Sequence, residues 1–290
     1  MKLVVIIPTL GRGNILRKTL AHLEHQRRLP DEVIVSAPDE THVEPQTFTR
    51  LRVSHVFGAT GLCAQRNRAL SCVLPRFDII TFFDDDFLPA HDYLQKVVTE
   101  FAGNPDWAVV MGRVVADGAR TQGLSFEEGL AALRRAEDGC PPEREIVDHP
   151  GAYGCNMSIR AAQIGDLRFD ERLVLYGWQE DIDFTGQLRR RGRVVAVSTL
   201  IGVHLGLKTG KGSGLRLGYS QVVNPIYLMR KGTMGMGFGL ELMSRNIAAN
   251  ILRSLRPEPY VDRRGRLRGN LLGLYHVARG RIEPEHILQL

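Results

Sequence analysis

One stretch constrains this chain more than any other. It is Phe82-Phe83-Asp84-Asp85-Asp86-Phe87-Leu88, where the apolar, β-branched-rich run 77–83 ends in three consecutive carboxylates. The run has the character of a strand buried on both faces, as in a parallel sheet. Three adjacent anions repel one another and are costly to desolvate. A hard divalent cation, Mg²⁺ or Mn²⁺, relieves both problems through carboxylate oxygen. The ends of parallel strands are also where open α/β sheets place their ligands. The stretch therefore predicts a metal–diphosphate site. The competing reading, a solvated acidic turn, is decided by the rest of the chain.

The segments before it alternate in type. The apolar run 3–7 reads as a buried strand, and Pro8 to Gly13 as a turn. Asn14 is placed to cap a helix carrying Ile15, Leu16, Leu20 and Leu23 on one face. Strands follow at 32–36 and 51–57, then a helix over 62–74 and the strand into the aspartates. This β-α-β-β-α-β order with short connections argues for a nucleotide-binding α/β domain. Further on, a helix is expected over 92–101, a strand over 107–115, and a helix over 126–136 with Ser125 and Glu128 as its capping box. Strands at 153–159 and 193–197 flank a helix over 180–191 that Gly192 ends.

The 290 residues suit one large α/β domain with an appendage, or two small domains. No run of about 18 apolar residues predicts a membrane-spanning helix. The opening apolar run is too short for a signal-peptide core. Cys63, Cys72, Cys140 and Cys155 form no CxxC pair, which suits reduced packing residues in a cytoplasmic protein. Charge is uneven. Residues 205–290 hold 14 Lys and Arg against 5 Asp and Glu, whereas 1–204 hold 24 against 27. The basic part begins with a glycine-rich stretch, 208–214, that lacks the strand–GxxxxGKS–helix context of a P-loop. It reads as a mobile closing loop or a plain surface loop. Helices with apolar stripes and basic edges are expected over 222–230 and 240–255, followed by Arg263-Arg264-Gly265-Arg266-Leu267-Arg268. Such helices lie on anionic membranes or pack as a subdomain against the core or a second subunit. No motif or aromatic interleaving supports nucleic-acid binding.

Four separated signatures, in order, carry a resemblance. They are Val5-Ile6-Ile7-Pro8-Thr9; Arg66-Asn67-Arg68 within the stretch opening Gly61-Leu62-Cys63-Ala64-Gln65; Asp84-Asp85-Asp86; and Phe169-Asp170-Glu171-Arg172 with Tyr176-Gly177-Trp178-Gln179-Glu180-Asp181. Together, across residues 3–204, they resemble the inverting glycosyltransferases of family 2, which have the GT-A fold, in particular those of bacterial surface polysaccharide and exopolysaccharide synthesis. The resemblance implies a Rossmann-like mixed α/β sheet flanked by helices. It implies a catalytic domain over 1–204, with 205–290 as a basic helical extension. The implied reaction transfers a sugar from a nucleotide-diphosphate donor, UDP being the family's commonest carrier, to a glycan or lipid-linked saccharide. That places the protein in the cytoplasm, peripherally on the inner face of the cell membrane.

Site residues follow from the same resemblance. Asp86 and His204 would bind the Mn²⁺ or Mg²⁺, and Asp84 would contact the nucleotide, with Asp85 orienting its neighbours. Pro8, Thr9, Arg12, Asp39, Arg66, Asn67, Asp85 and Asn156 would complete the donor side. Asp181 would be the general base, with Glu180 its rival, and Trp178 would face the acceptor. Asp183 reads as a first-turn acid serving the helix dipole. There is one departure. The family's base-reading aspartate directly after the second strand is replaced by Ser36-Ala37-Pro38, with Asp39 arriving late. Two other classes compete: a phosphatase with an Asp-x-Asp nucleophile, which would want Thr or Val where Leu88 stands, and a non-catalytic sugar-nucleotide-binding module, which would need no base.

Overall fold

Continuous apolar runs form the middle of the sheet. In the computed structural model, which describes residues 1–140, 143–208 and 213–290, β1 (Leu3–Pro8), β2 (Glu32–Ala37) and β4 (Ile79–Phe83) are buried along their whole length. β3 (Val53–Phe57), with alternating exposure, is the edge. These four pair in parallel through β1–β2, β2–β3 and β1–β4. Burial on both faces explains why β1, β2 and β4 are largely apolar rather than alternating. The helices α1 (Gly13–Leu23) and α2 (Leu62–Val73) make the crossovers.

The second half adds β5 (Phe87–Pro89), α3 (Tyr93–Gly103), β6 (Trp107–Asp117), α4 (Phe126–Asp138), β7 (Ile146–Asp148), β8 (Asn156–Arg160), α5 (Glu180–Leu188) and β9 (Arg193–His204). One mixed nine-stranded sheet results, in the order β3-β2-β1-β4-β8-β6-β9-β5, with β7 also paired to β9. β8 runs antiparallel between β4 and β6, and β6 lies parallel to β9. The sheet and its flanking helices are the expected α/β architecture. α4 begins with the capping box of Ser125 and Glu128. α1 does not begin as expected: Arg12 is its N-cap, and the Asn14 side chain instead accepts a bond from Arg17. β9 runs well past 197, and its last residues carry the site.

Three helices complete the chain: α6 (Gly214–Lys231), α7 (Met236–Arg253) and α8 (Arg263–Ala278). Leu228, Met234 and Leu242 join the large apolar cluster that also holds Val4, Ile80 and Phe184. α8 was not legible, because its buried face is Gly269, Asn270, Gly273 and His276 rather than an apolar stripe. It packs on α6 by close backbone approach. A Cβ on Gly269 would lie 2.1 Å from the Leu215 carbonyl oxygen, and one on Gly218 would lie 2.0 Å from that of Arg266.

Candidate active site

The three aspartates leave β4 at its C-terminal end and point in different directions. Asp84 is partly exposed, whereas Asp85 and Asp86 are buried. β9 ends beside them, because Phe87 of β5 is paired with His204. His204 Nε2 lies 3.4 Å from Asp86 Oδ1 and 3.8 Å from Asp84 Oδ2. One ligand atom from each of Asp84, Asp86 and His204 falls within 4.8 Å of the other two. On its far side, His204 Nδ1 meets Asp117 Oδ1 at 2.9 Å and the Tyr153 hydroxyl at 3.2 Å. A carboxylate on Nδ1 fixes the ring orientation and leaves Nε2 for a cation.

These residues fit a divalent ion. Asp86 Oδ1 is buried and faces only the His204 ring, at 3.4 Å, so a cation seated between the two would take the place of the imidazole proton. Burial works against a charged His204, but the carboxylates of Asp117 and Asp86 outweigh it and push the imidazole up to about 10. An ion seated on Nε2 would displace that proton. Burial also works against ionised Asp86, yet His204 and Arg12 hold its carboxyl well below the usual range.

Two glycines bring Asp117 to His204. A Cβ on Gly118 would stand 1.8 Å from the Leu205 oxygen. Gly206, at φ +62°, would put one 1.9 Å from the Ala119 nitrogen. No other residue allows the ends of β6 and β9 to approach this closely. Asp117 was missed in the sequence because it lies far from the other members. The register of β6 on β9, which sets Asp117 opposite His204, brings it in.

Beneath the aspartates lies a buried ion cluster. Arg66, on α2, is ion-paired with Glu180, reaches Asp84 Oδ1 at 3.4 Å and donates to the Gly154 carbonyl at 3.1 Å. Its guanidinium also stacks near Phe82 and Phe169. Burial pushes the Glu180 carboxyl up to about 8, aided by neighbouring Asp181 and opposed by Arg66. Burial raises Asp181 too, against two backbone donors, Gly154 N and Ile182 N, each at 2.8 Å. Asp183 faces the other way, held by Lys231 Nζ at 2.7 Å and Thr233 Oγ1 at 2.6 Å. The turn before α5 is wound left-handed at Leu175 (φ 60°), Gly177 (φ 60°) and Gln179 (φ 75°). Non-glycine residues rarely adopt this region, and strain of this kind clusters at functional sites.

A cleft of about 340 Å³ opens over the aspartates. Asp84, Asp86 and His204 line one end, and Pro8, Thr9, Leu10 and Arg12 line its β1 side. Gly61, Leu62 and Gln65 come from the start of α2. Gln65 bridges the ends of β1 and β2 by donating to the Thr9 and Ser36 carbonyls at 2.8 and 2.7 Å. Leu175, Tyr176 and Arg216 line the cleft as well. Arg216 was not anticipated. It comes from the first turn of α6, and its Nε is buried without a partner among the described residues.

The cleft takes in some of the expected donor residues and not others. Pro8, Thr9, Arg12 and Asp84 line it, although the Thr9 hydroxyl and the Arg12 guanidinium are both engaged by Asp85, at 2.6 and 2.5 Å. Asp85 is accordingly turned beneath the floor. Arg66 also lies below it. Asn67 is directed at Phe169 and Glu171, at 2.9 and 2.8 Å. Asn156 is fully buried and donates to the Gly112 carbonyl at 3.0 Å. Asp39 is exposed and accepts from Thr41 N, at the start of a short 3₁₀ turn. These five residues contact protein groups and do not line the cleft. Trp178 is half-buried and packs against the large apolar cluster. Of the glycine-rich stretch, 209–212 lie outside the described residues.

The model of the Glycosyl transferase family 2 matches residues 4–152. No curated protein matches the chain. Among solved structures, TarS 1-349 of S. aureus in complex with UDP-GlcNAc is similar at TM-score 0.56 and 15% identity, over 98% of this chain and 89% of that one. The mannosyltransferase PcManGT of Pyrobaculum calidifontis, in complex with GDP-Man and Mn²⁺, is similar at 0.54 and 17%, over 99% and 84%. Against the longer TarS chain the TM-score is 0.50 at 18% identity, and this chain covers 77% of itself but 40% of TarS. At these identities the likeness is one of fold, the GT-A fold.

Proposed function

Because this chain belongs to glycosyl transferase family 2, we propose that it transfers a sugar from a nucleotide-diphosphate donor to a hydroxyl of a glycan or lipid-linked saccharide, with inversion and with a divalent metal. The observation that carries this reading is the cluster of Asp84, Asp86 and His204 in the cleft lining, one ligand atom of each lying within 4.8 Å of the other two. Those three residues would hold Mn²⁺ or Mg²⁺. When bound, the ion supplies charge to offset the departing diphosphate. Two structures of similar fold contain sugar nucleotides, one UDP-GlcNAc and one GDP-Man with Mn²⁺, which supports the donor class. UDP is the carrier we favour. Residues 1–204 would form the catalytic unit and 205–290 its extension.

The chain's own residues divide the work. Arg216 lines the cleft with no ion-pair partner among the described residues, which suits a diphosphate oxygen. Thr9 and Arg12 act indirectly, by neutralising Asp85 and positioning Asp86. Asp181 is the favoured base, since Glu180 is occupied by Arg66 whereas Asp181 meets backbone N–H groups that leave it a lone pair for an acceptor proton. Trp178, two residues before Glu180, would flank the acceptor. In this reading Arg66 joins the metal end to the acceptor end.

The test is single-turnover transfer with product analysis. Asp181→Asn should bind donor normally and lose about 10²–10⁴-fold in rate, and the wild-type product should have the opposite anomeric configuration to the donor. Retained configuration would refute the single displacement. Near-normal transfer by Asp181→Asn would move the base to Glu180.

A further inference from the structure

The outer face of α7 carries apolar residues where solvent-facing polar ones are expected. Met236, Leu240 and Ile251 are exposed along one line, at i, i+4 and i+15, with half-buried Met243 and Ile247 between them on the same face. The buried residues Gly239, Leu242 and Asn250 form the adjoining face, about a quarter-turn round the helix. The end of α7 and the linker to α8 continue the pattern, with Leu252 72% and Leu255 82% exposed. On α8, Leu271, Leu274 and Tyr275 are exposed in turn. A soluble surface tolerates scattered apolar residues, but a run of this extent marks an interaction site.

The charge beside it has one sign. Residues 236–281 hold nine Arg against three acids. All three acids are engaged. Glu258 pairs with Arg253 and Arg263, Glu241 lies near Arg245, and Asp262 caps α8 by accepting from Gly265 N. Arg256, Arg264 and Arg268 have no ion-pair partner among the described residues and are exposed. On α8, Arg264 and Arg268 flank Leu271 and Tyr275 at helical spacing, so apolar and cationic groups share one face. A second copy of the chain is a poor occupant, since a two-fold interface would set this basic face against itself. An anionic lipid surface suits both features, taking leucine side chains into its interface and arginines at its headgroups. No helix among the described residues is long and apolar enough to cross a membrane.

We propose that α7, the linker after it and the outer face of α8 form a docking surface for anionic phospholipid, with Leu252, Leu255 and Leu271 entering the interface and Arg256, Arg264 and Arg268 meeting the headgroups. Arg263 and Arg266, although in the same basic run, are excluded. The first is held by Glu258 and Asn250, and the second is largely enclosed near Tyr176. The proposal rests on surface chemistry rather than on the cleft, so vesicle binding and donor binding fail independently.

The experiment is sedimentation of the full chain with phosphatidylcholine vesicles, with and without phosphatidylglycerol, at low salt. The protein should sediment with the mixed vesicles and stay in solution with phosphatidylcholine alone. Each arginine near the surface is worth about fivefold in partition, so Arg264→Gln with Arg268→Gln should lower it about 25-fold. Leu252→Ser with Leu271→Ser should lower it at least about tenfold. All four positions are exposed, and unchanged melting curves exclude misfolding as the cause. The proposal is overturned if wild-type protein ignores the mixed vesicles, or if both double variants bind like wild type. It is equally overturned if light scattering shows a stable dimer that Leu252→Glu dissociates, which would assign the face to a second copy.

Discussion

Asp117 shows what a single side chain contributes to the site. Its carboxylate bonds His204 Nδ1 and so orients the ring whose other nitrogen faces Asp84 and Asp86. Asp117→Asn should lower Mn²⁺ affinity about 10–100-fold, read directly by titrating Mn²⁺ and following its spin resonance. Unchanged Mn²⁺ affinity would reduce Asp117 to a packing residue. The pH profile tests Asp181 separately. A base works when deprotonated, and burial raises this carboxyl, so the acid limb of kcat/KM should lie above the ordinary 3.8 of an aspartate. A metal near Asp86 was legible because three carboxylates end a strand, and His204 was expected only through the family resemblance; Asp84, expected at the nucleotide, stands in the same cluster. Arg66, Asn67 and Asn156 look like ligand-binding residues in the sequence, but a buried polar side chain is satisfied as well by protein as by ligand. Only the fold decides which partner it meets.

At the scale of elements, legibility followed the apolar pattern. β1, β2 and β4 are continuous apolar runs, and α4 announces its start with Ser125 and Glu128. β5 and β7 are three residues each, too short to leave a pattern. α8 lacks an apolar stripe on its buried face because glycine, not leucine, makes its contact with α6. Gly269→Ala should therefore destabilise the protein by about 1–3 kcal/mol, the usual range for overpacking, measured by denaturant unfolding. Gly237, on the open side of α7 with no atom within 4 Å of an added Cβ, is the control. Gly237→Ala should be neutral or stabilise by about 0.5–1 kcal/mol. Equal effects at the two sites would contradict glycine-mediated packing of α6 on α8.

Across the whole molecule, the cleft is assembled from both halves of the chain. Its floor is β1, α2 and the aspartates after β4, while His204, Leu207 and Arg216 close it from the C-terminal side. The sequence boundary at 204–205 thus runs through the cleft lining itself. Removing Arg216 should weaken diphosphate binding without touching the cation ligands, so Arg216→Ala should keep its metal response at lower affinity. The central claim is that the Asp84–Asp86–His204 end binds a diphosphate through a divalent cation. The most direct measurement is calorimetric titration of UDP, GDP, CDP and dTDP into the full chain, with Mn²⁺ and again with chelator, for wild type and Asp86→Ala. We expect at least one nucleotide to bind wild type with Mn²⁺ and to lose most of its affinity in chelator, and Asp86→Ala to be indifferent to Mn²⁺. A nucleotide that binds wild type equally well in Mn²⁺ and in chelator would contradict the claim.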